Sequence, residues 1–239
     1  VTVTGTDIAG NVYQGLDELN FTLNQRPTAA DNTVTTEEDI RYTFALDEFG
    51  YEDGNSDSID HIKITELESK GSLELKVEGG ANQEISLNQE IDKSEIEAGN
   101  LIFIPETDAN GTGYDSFKFQ VHDGTEYSIG GYTMIIDVTA VDDGPIVANQ
   151  ITDINVDEDA ANSAIDLSNT FNDIDNDNSG IVKTVASNTD SSLVTASITG
   201  NTLSLDYHDN QNGTAEITIR GRSNGKTVDD TFTVTVNAV

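Results

Sequence analysis

Alternation of polar and apolar residues predicts that this chain is built from β-strands. The pattern is clearest at 116–121 and 231–236, and it recurs at 19–23 and 73–78. A period of two places every second side chain on the same face, as in a half-buried antiparallel strand. Clusters of Gly, Asn and Asp separate the strands at the spacing of a β-sandwich. Helical periodicity is nearly absent, apart from one turn predicted within 91–98.

The sequence also repeats itself. When Glu38 is placed over Glu158, 120 residues further along, an acid pair, an aromatic residue and a spaced polar triplet align without a gap. The aligned pairs are Asp39 with Asp159, Tyr51 with Phe171, Asp53 with Asp173, Asn55 with Asp175, Asp57 with Asp177, and Ile62-Lys63 with Val182-Lys183. Further on the spacing changes, but Asn110-Gly111-Thr112 and Asn212-Gly213-Thr214 each precede a strand. Such self-similarity indicates tandem units.

We therefore predict two repeats, at 25–143 and 144–239, after a terminal hairpin of a preceding repeat at 1–24. Each repeat is expected to be a seven-strand Greek-key β-sandwich. The fold class is then all-β, with tandem sandwiches arranged end to end. The chain begins at Val1 without Met or a signal peptide, so we expect it to be a segment of a longer protein.

The net charge and the composition argue against several classes of function. The formal net charge is -33, from 44 acidic and 11 basic residues, which argues against nucleic acid as a partner because a phosphate backbone needs a basic surface. No apolar run approaches the ~20 residues of a membrane span, so membrane insertion is not expected. The absence of Cys argues against disulfides, zinc sites and thiol chemistry. So many carboxylates oppose compaction, and the strand pattern indicates that bound cations, rather than disorder, resolve this conflict.

The order of the strands predicts where the acids gather. In the second repeat, a strand at 151–156 would lead to Glu158, and the returning strand at 165–171, about 23 Å long, would carry Asp173 to the opposite pole. The corner at 212–213 would then join the pole of Glu158, and the turn at 224–225 the pole of Asp173. Calcium takes six to eight oxygen ligands, which only a dense set of carboxylates and carbonyls supplies.

End-to-end stacking would bring three acidic groups to one junction. The predicted calcium ligands there are Glu38 (or Glu37) and Asp108, beside Glu106, then Asp142 and Asp143 of the linker, and Asp173, Asp175 and Asp177. A weaker or vacant site is expected at the other pole of the first repeat, from Asp53, Asn55, Asp57 and Asp123. The ordinary alternatives are solvated Asx turns, an acidic linker and a Gly-rich turn. An EF-hand is excluded, because Asn178 and Thr184 stand where its Gly and Glu belong.

These motifs resemble a known family. The segments 156–159, 171–177, 212–215 and 230–236 are similar to dystroglycan-type cadherin-like repeats, which occur in tandem in large bacterial adhesins and secreted proteins. The resemblance implies calcium at the junctions, a rigid rod, and a role in adhesion or display at the cell surface. The linker Asp142-Asp143-Gly144-Pro145 is shorter than the cadherin linker, and the earlier linker 24–27 carries Arg26 and no acid.

Catalysis is not expected. His61, His122 and His208 are scattered, no serine lies in a Gly-x-Ser-x-Gly setting, and no phosphate-binding loop follows a strand. The sequence favours a calcium-binding structural or adhesive segment of a large extracellular or cell-surface protein of bacterial type, with glycans or a like repeat as the expected partners. The alternative is a carbohydrate-binding module with exposed Tyr127, Tyr132 or Tyr207 as contacts. Tyr114 is expected to pack as a tyrosine corner.

Overall fold

The computed structural model describes residues 5–6, 12–13 and 23–239. The chain divides into two compact units, Val1–Ala140 and Val141–Val239, and each is treated by itself. Most of the predicted N-terminal hairpin lies outside the described residues. The part that is described is an antiparallel pair of β1 (Gly5–Thr6) and β2 (Val12–Tyr13). Among the described residues, no helix is both long and apolar enough to cross a membrane.

The first unit contains nine further strands in two sheets. They are β3 (Asn32–Glu37), β4 (Tyr42–Thr43), β5 (His61–Glu66), β6 (Ser72–Leu75), β7 (Gln83–Glu84), β8 (Glu90–Asp92), β9 (Leu101–Ile104), β10 (Gly111–His122) and β11 (Tyr132–Thr139). One sheet has the order β3-β11-β10-β5-β8 and the other the order β4-β9-β6-β7. A 3₁₀ turn covers Leu46–Phe49, and α1 (Lys93–Glu97) falls where the single helical turn was predicted.

Aromatic residues fill the space between the two sheets of the first unit. Alternate residues of β10, including Phe117 and Phe119, are buried, as the period-two pattern predicts. Phe44 packs edge-on against Phe117 at 5.4 Å between ring centroids, and Phe49 against Phe119 at 4.9 Å. The hydroxyl of buried Tyr114 accepts the backbone N–H of Glu106 at 3.2 Å, which is the arrangement of a tyrosine corner.

The second unit repeats this plan with shorter strands at its start. They are β12 (Ile146–Val147), β13 (Ile154–Asp157), β14 (Ser163–Asp166), β15 (Phe171–Asn172), β16 (Val182–Asn188), β17 (Val194–Thr199), β18 (Thr202–Tyr207), β19 (Gly213–Ser223) and β20 (Lys226–Asn237). The sheets have the orders β13-β20-β19-β16, β14-β18-β17 and β12-β15. A 3₁₀ turn covers Asn178–Gly180. The all-β prediction is confirmed.

The two units share their pairing scheme. In each, an early strand runs parallel to the last strand, β3 beside β11 and β13 beside β20, and every other pairing is antiparallel among the described strands. Asp39 and Asp159 both have a left-handed backbone, with φ of 59° and 62°, a conformation that Asp and Asn tolerate best among non-Gly residues. The repeat read from the sequence therefore exists as a repeated structure.

The gap-free alignment of the two repeats is wrong where it places β16 of the second unit on β5 of the first. It places Val182-Lys183 on Ile62-Lys63, yet Ile62 is fully buried, Val182 is 59% exposed and Lys183 points inward. A slip of one residue exchanges the two faces of a strand. The slip follows the 3₁₀ turn Asn178–Gly180, which only the second unit has at this place. Lys183 compensates for its burial by donating to Asn201 Oδ1 at 3.0 Å, and burial lowers its pKa.

One close contact in the second core has a measurable consequence. The ring of Phe171 lies on the backbone of Gly221, so that a Cβ at position 221 would come within 2.8 Å of the ring. We predict that Gly221→Ala lowers the free energy of unfolding by about 1–3 kcal/mol, as overpacking of a core does. Urea denaturation measures this. Gly180→Ala is the matched control, because nothing lies within 4 Å of a Cβ there, and equal stability of the two variants would contradict the packing argument.

Candidate metal sites

In the second unit, the loop after β15 wraps around the carboxylate of Asp173, which is only 4% exposed. Its Oδ1 accepts the backbone N–H groups of Asp175 and Asn176 at 3.1 and 3.0 Å, and the Asn176 amide at 3.2 Å. Burial raises the pKa of Asp173, but the Ser223 hydroxyl, the Asn176 side chain and the loop N–H groups outweigh burial and hold the pKa below its ordinary value. The carboxylate is therefore charged at neutral pH.

The second carboxylate oxygen of Asp173, Oδ2, has different hydrogen-bonding surroundings. Oδ2 is buried and no hydrogen bond of regular geometry reaches it; the Ser223 hydroxyl influences the pKa of the carboxylate without making such a bond. A buried charged oxygen without a donor is costly, and native structures seldom leave one. A bound cation would satisfy it.

The linker acid Asp142 lies against the same loop. Its Oδ1 accepts the side-chain amides of Asn176 at 2.8 Å and Asn224 at 2.7 Å. Lys226 donates to the backbone carbonyl of Asp142 and lies 3.5 Å from its Oδ2. The Asn224 and Asn176 side chains, followed by the charge of Lys226, lower the pKa of Asp142. The Asn176 amide thus bridges the carboxylates of Asp142 and Asp173.

The remaining acids of this pole divide into two groups. Asp175 Oδ2 accepts the backbone N–H of Asp143 at 2.6 Å, so the linker and the loop after β15 are bonded together. Asp177 accepts the backbone N–H and the hydroxyl of Ser179 at 2.9 and 2.8 Å, and so caps the short 3₁₀ turn. Asp175 therefore lies with Asp142, Asp143 and Asp173, whereas the Asp177 carboxylate already has the role of a cap.

The first unit presents a matching pole. Asp53 Oδ1 accepts the backbone N–H groups of Asn55 at 2.9 Å and Asp57 at 3.0 Å, and its Oδ2 is buried without a donor. Burial, and then the charges of Asp53, Asp123 and Asp57, raise the pKa of Tyr51 to about 12. Hydrogen bonds join Asp53, Asn55 and Asp57 to one another, and the charge of Asp123 acts on the same Tyr51 hydroxyl as those of Asp53 and Asp57.

Asn and Asp have exchanged places between the two poles. In the first unit, Asn24 of the linker donates to Asp123 Oδ2 at 3.1 Å, next to the turn that follows β10. In the second unit, Asn224 of the turn after β19 donates to the linker residue Asp142. Both units thus have an amide–carboxylate hydrogen bond between the linker and this turn, but the amide belongs to the linker in the first unit and to the turn in the second. Asp123 also accepts the N–H groups of Thr125 and Glu126 at 2.6 and 2.7 Å, which help to hold its pKa low against the effect of burial.

The opposite pole of each unit is also built as the strand order predicts. In the first unit, Asp39 Oδ1 accepts the N–H of Asp108 at 3.2 Å, and buried Glu38 accepts the Asn110 amide at 2.8 Å. In the second unit, Asp159 Oδ1 accepts the N–H of Asn210 at 2.9 Å. The Asp108 carboxylate is exposed. Glu38 and Asp108 thus lie at one pole of the first unit, as predicted.

Sequence reasoning missed the donors of these sites. Asn176, Asn224, Asn24 and Lys226 were not singled out, although each contacts a predicted ligand. The available signal was the repeat itself, because Asn24 and Asp142 both stand three residues before a proline. The oxygen-only ligand sets at the poles of Asp53 and Asp173 suit a hard cation such as calcium.

Comparisons with known proteins agree with this fold. Residues 24–136 match the family described as Bacterial Ig domain (Big_9). Together with the sheet topology, this match defines an immunoglobulin- or cadherin-like fold. No curated protein matches the sequence.

Solved structures with some similarity are distant. Human protocadherin-24 EC1-2 is 11% identical, with 89% of this chain and 99% of that chain covered and a TM-score of 0.45. Human mucin-like protocadherin EC1-2 is 13% identical, with 90% and 100% covered and a TM-score of 0.40. The endo-fucoidan hydrolase MfFcnA4 of glycoside hydrolase family 107 is 17% identical, with 92% of this chain covered and a TM-score of 0.31. This chain spans only 30% of that hydrolase.

Removal of the Asn176 side-chain amide tests whether it bridges the carboxylates of Asp142 and Asp173 when no metal is bound. We predict that Asn176→Ala raises the pKa of both Asp142 and Asp173 toward the ordinary aspartate value, because both lose a donor. Asn224→Ala is the control and raises the pKa of Asp142 alone. Carboxyl ¹³C shifts followed against pH in chelator report both values.

The sign of the linked stability follows from the lowered pKa values. A carboxylate with a depressed folded-state pKa contributes stability above its unfolded pKa and loses it as pH falls through the folded value. Asn176→Ala should therefore weaken the protein at neutral pH more than in acid. An Asn176→Ala variant with both pKa values unchanged would contradict the bridge.

Proposed function

We propose that this chain is a calcium-binding structural or adhesive segment of an extracellular or surface protein, in which each unit binds calcium at the pole that carries Asp53 or Asp173. The supporting observation is a repeated one. Asp53 Oδ2 and Asp173 Oδ2 are both buried without a donor, and the two residues are equivalent in the repeat. Two equivalent carboxylate oxygens that are buried without a donor point to a ligand that the fold is built to receive.

The chemistry of both poles favours calcium over other common cations. Every candidate ligand is a carboxylate, an amide oxygen or a backbone carbonyl, which a hard cation with high coordination number accepts. In the second unit, Asp142, Asp143, Asp173 and Asp175 are held in one hydrogen-bonded group. Carboxylate number tunes calcium affinity, and the second unit's group is the larger. We infer that its pole binds more tightly than that of the first unit.

Calcium at the second pole would also act on the linker. Asp142 and Asp143 belong to the stretch that joins the units and are already bonded to the loop after β15. An ion held by these residues would restrain that stretch further. The hypothesis from the sequence, that Glu38 and Asp108 share such an ion and that the segment becomes a rod, stays a prediction. So does the closer assignment to dystroglycan-type repeats of bacterial adhesins.

The proposed role is structural and involves no catalytic step. The alternative, a carbohydrate-binding module, required exposed tyrosines. Tyr207 is only 5% exposed and donates to Ser163, so its assignment as an exposed contact is wrong. Tyr132 is half-buried near Phe119, and Tyr127 is held by neighbouring side chains. No observation on the described residues favours the alternative.

Thermal unfolding tests the proposal. We predict that millimolar calcium raises the Tm of the chelated protein, since a ligand at 100 times its Kd adds about 2.7 kcal/mol per site. Asp173→Asn should lose most of this increment in the second unit, whereas Asp206→Asn, an exposed residue of β18, should retain it. A Tm that is the same in calcium and in chelator would overturn the proposal.

The lysine beside the linker acid provides a second test. Lys226 lies 3.5 Å from Asp142 Oδ2 and repels a cation bound there. We predict that Lys226→Met strengthens calcium binding by roughly thirtyfold at low ionic strength, because a unit charge and a divalent ion about 4 Å apart in water repel each other by ~2 kcal/mol. Titration calorimetry measures it. Lys118→Met, which removes a lysine paired with Glu66 in the first unit, controls for net charge, and an equal effect of both variants would contradict the local explanation.

A further inference from the structure

A second cluster of potential ligands lies in the first unit and contains nitrogen. His61 opens β5 and His122 ends β10, and they face each other as cross-strand partners. Their rings are stacked at 4.4 Å between centroids and 19° between planes. The side chains are 12% and 15% exposed, and Asp60 beside them is largely exposed. Two of the three histidines that appear scattered in the sequence are thus brought together at the facing ends of the neighbouring strands β5 and β10.

One nitrogen of His61 is held by a tyrosine. His61 Nε2 lies 2.7 Å from the Tyr127 hydroxyl oxygen, and this hydroxyl donates to Glu90 Oε1. The Tyr127–Glu90 bond leads the influences that hold the pKa of Glu90 low. These contacts orient the ring so that its other nitrogen, Nδ1, is directed at Asp60.

The other nitrogen of His61 faces a carboxylate. His61 Nδ1 is 2.8 Å from Asp60 Oδ2, a contact that a proton or a metal ion between the two atoms stabilises. His122 Nδ1 is 3.9 Å from the same Asp60 oxygen. One ligand atom from each of Asp60, His61 and His122 lies within 4.8 Å of the others.

We propose that Asp60, His61 and His122 form a binding site for a borderline divalent transition-metal ion, of which Zn²⁺ is the type. Ligand atoms of tetrahedral zinc lie about 3.4 Å apart, given bonds of about 2.1 Å, and the separations of 2.8 and 3.9 Å bracket this value. Imidazole nitrogen suits zinc, copper and nickel, whereas calcium prefers oxygen. The site therefore differs in chemistry from the two acidic poles.

The surroundings of His61 match those of a metal-bound histidine. Such a histidine typically has its second ring nitrogen held by a carboxylate or another polar partner that fixes the ring orientation, and here Nε2 lies 2.7 Å from the Tyr127 hydroxyl, which donates to Glu90. His122 has a competing partner, because its Nδ1 accepts the Gly124 N–H at 2.9 Å. Metal binding through that nitrogen would release this one bond. The ion would join the facing ends of β5 and β10.

Zinc titration of the whole chain tests the site. Saturating calcium is present throughout, so that the acidic poles are occupied and failure of one proposal is distinguished from failure of the other. We expect one Zn²⁺ per chain by calorimetry, and Co²⁺ in its place to give visible absorption bands of low-coordinate cobalt bound to nitrogen. Asp60→Asn, His61→Ala and His122→Ala should each weaken binding at least tenfold. His208→Ala, whose side chain contacts Thr195 in the second unit, should leave it unchanged.

A variant outside the set of ligands and a control for folding complete the test of the zinc site. Tyr127→Phe removes the hydroxyl that holds His61 Nε2 without touching a ligand, and should weaken zinc binding by roughly 10-fold, as loss of an outer partner does. Circular dichroism shows whether each variant is folded, and Asp60→Asn changes an exposed side chain whose loss the fold should tolerate. No zinc binding by the folded chain in calcium, or equal binding by the His61→Ala and His208→Ala variants, would overturn the proposal.

Discussion

The structure depends on how its negative charge is accommodated. With 44 acidic and 11 basic residues, most carboxylates have no ion-pair partner, and their mutual repulsion opposes compaction. Several aspartates lie where loops present backbone N–H groups, which stabilise the charged form of the carboxylate. Asp173, Asp123, Asp177 and Asp190 each accept such donors, and each has a lowered pKa. At Asp53 and Asp173 one oxygen remains buried without a hydrogen-bond donor, and the proposed cation would bind there.

Both units use one scaffold for this purpose. The antiparallel strand order brings three stretches of chain to the same pole of each unit. They are the loop that carries Asp53 or Asp173, the linker before the unit, and the turn after β10 or β19. The amide of Asn24 donates to Asp123 in the first unit, and that of Asn224 donates to Asp142 in the second. Each pole therefore keeps one amide and one carboxylate at this pair, although the residue types of the linker and the turn are exchanged.

Much of this was predictable from the sequence, because antiparallel order and period two determine which loops share a pole. The contacts of Asp39 with Asp108 and of Asp159 with Asn210 follow from that rule. Contacts that depend on register were not predictable. Lys183 points inward because the chain slips by one residue after a 3₁₀ turn. His61 meets His122 only through the pairing of β5 with β10, in which a bulge shifts the register.

The central claim is that a cation completes the buried carboxylates of Asp53 and Asp173. A crystal structure of the chain grown in millimolar calcium tests it most directly. The account predicts an ion 2.3–2.6 Å from Oδ2 of each residue, a distance typical of calcium–oxygen bonds, with further carboxylate, carbonyl or water oxygens around it. Well-ordered Oδ2 atoms with no ion beside them at either position, in crystals with ample calcium, would contradict it.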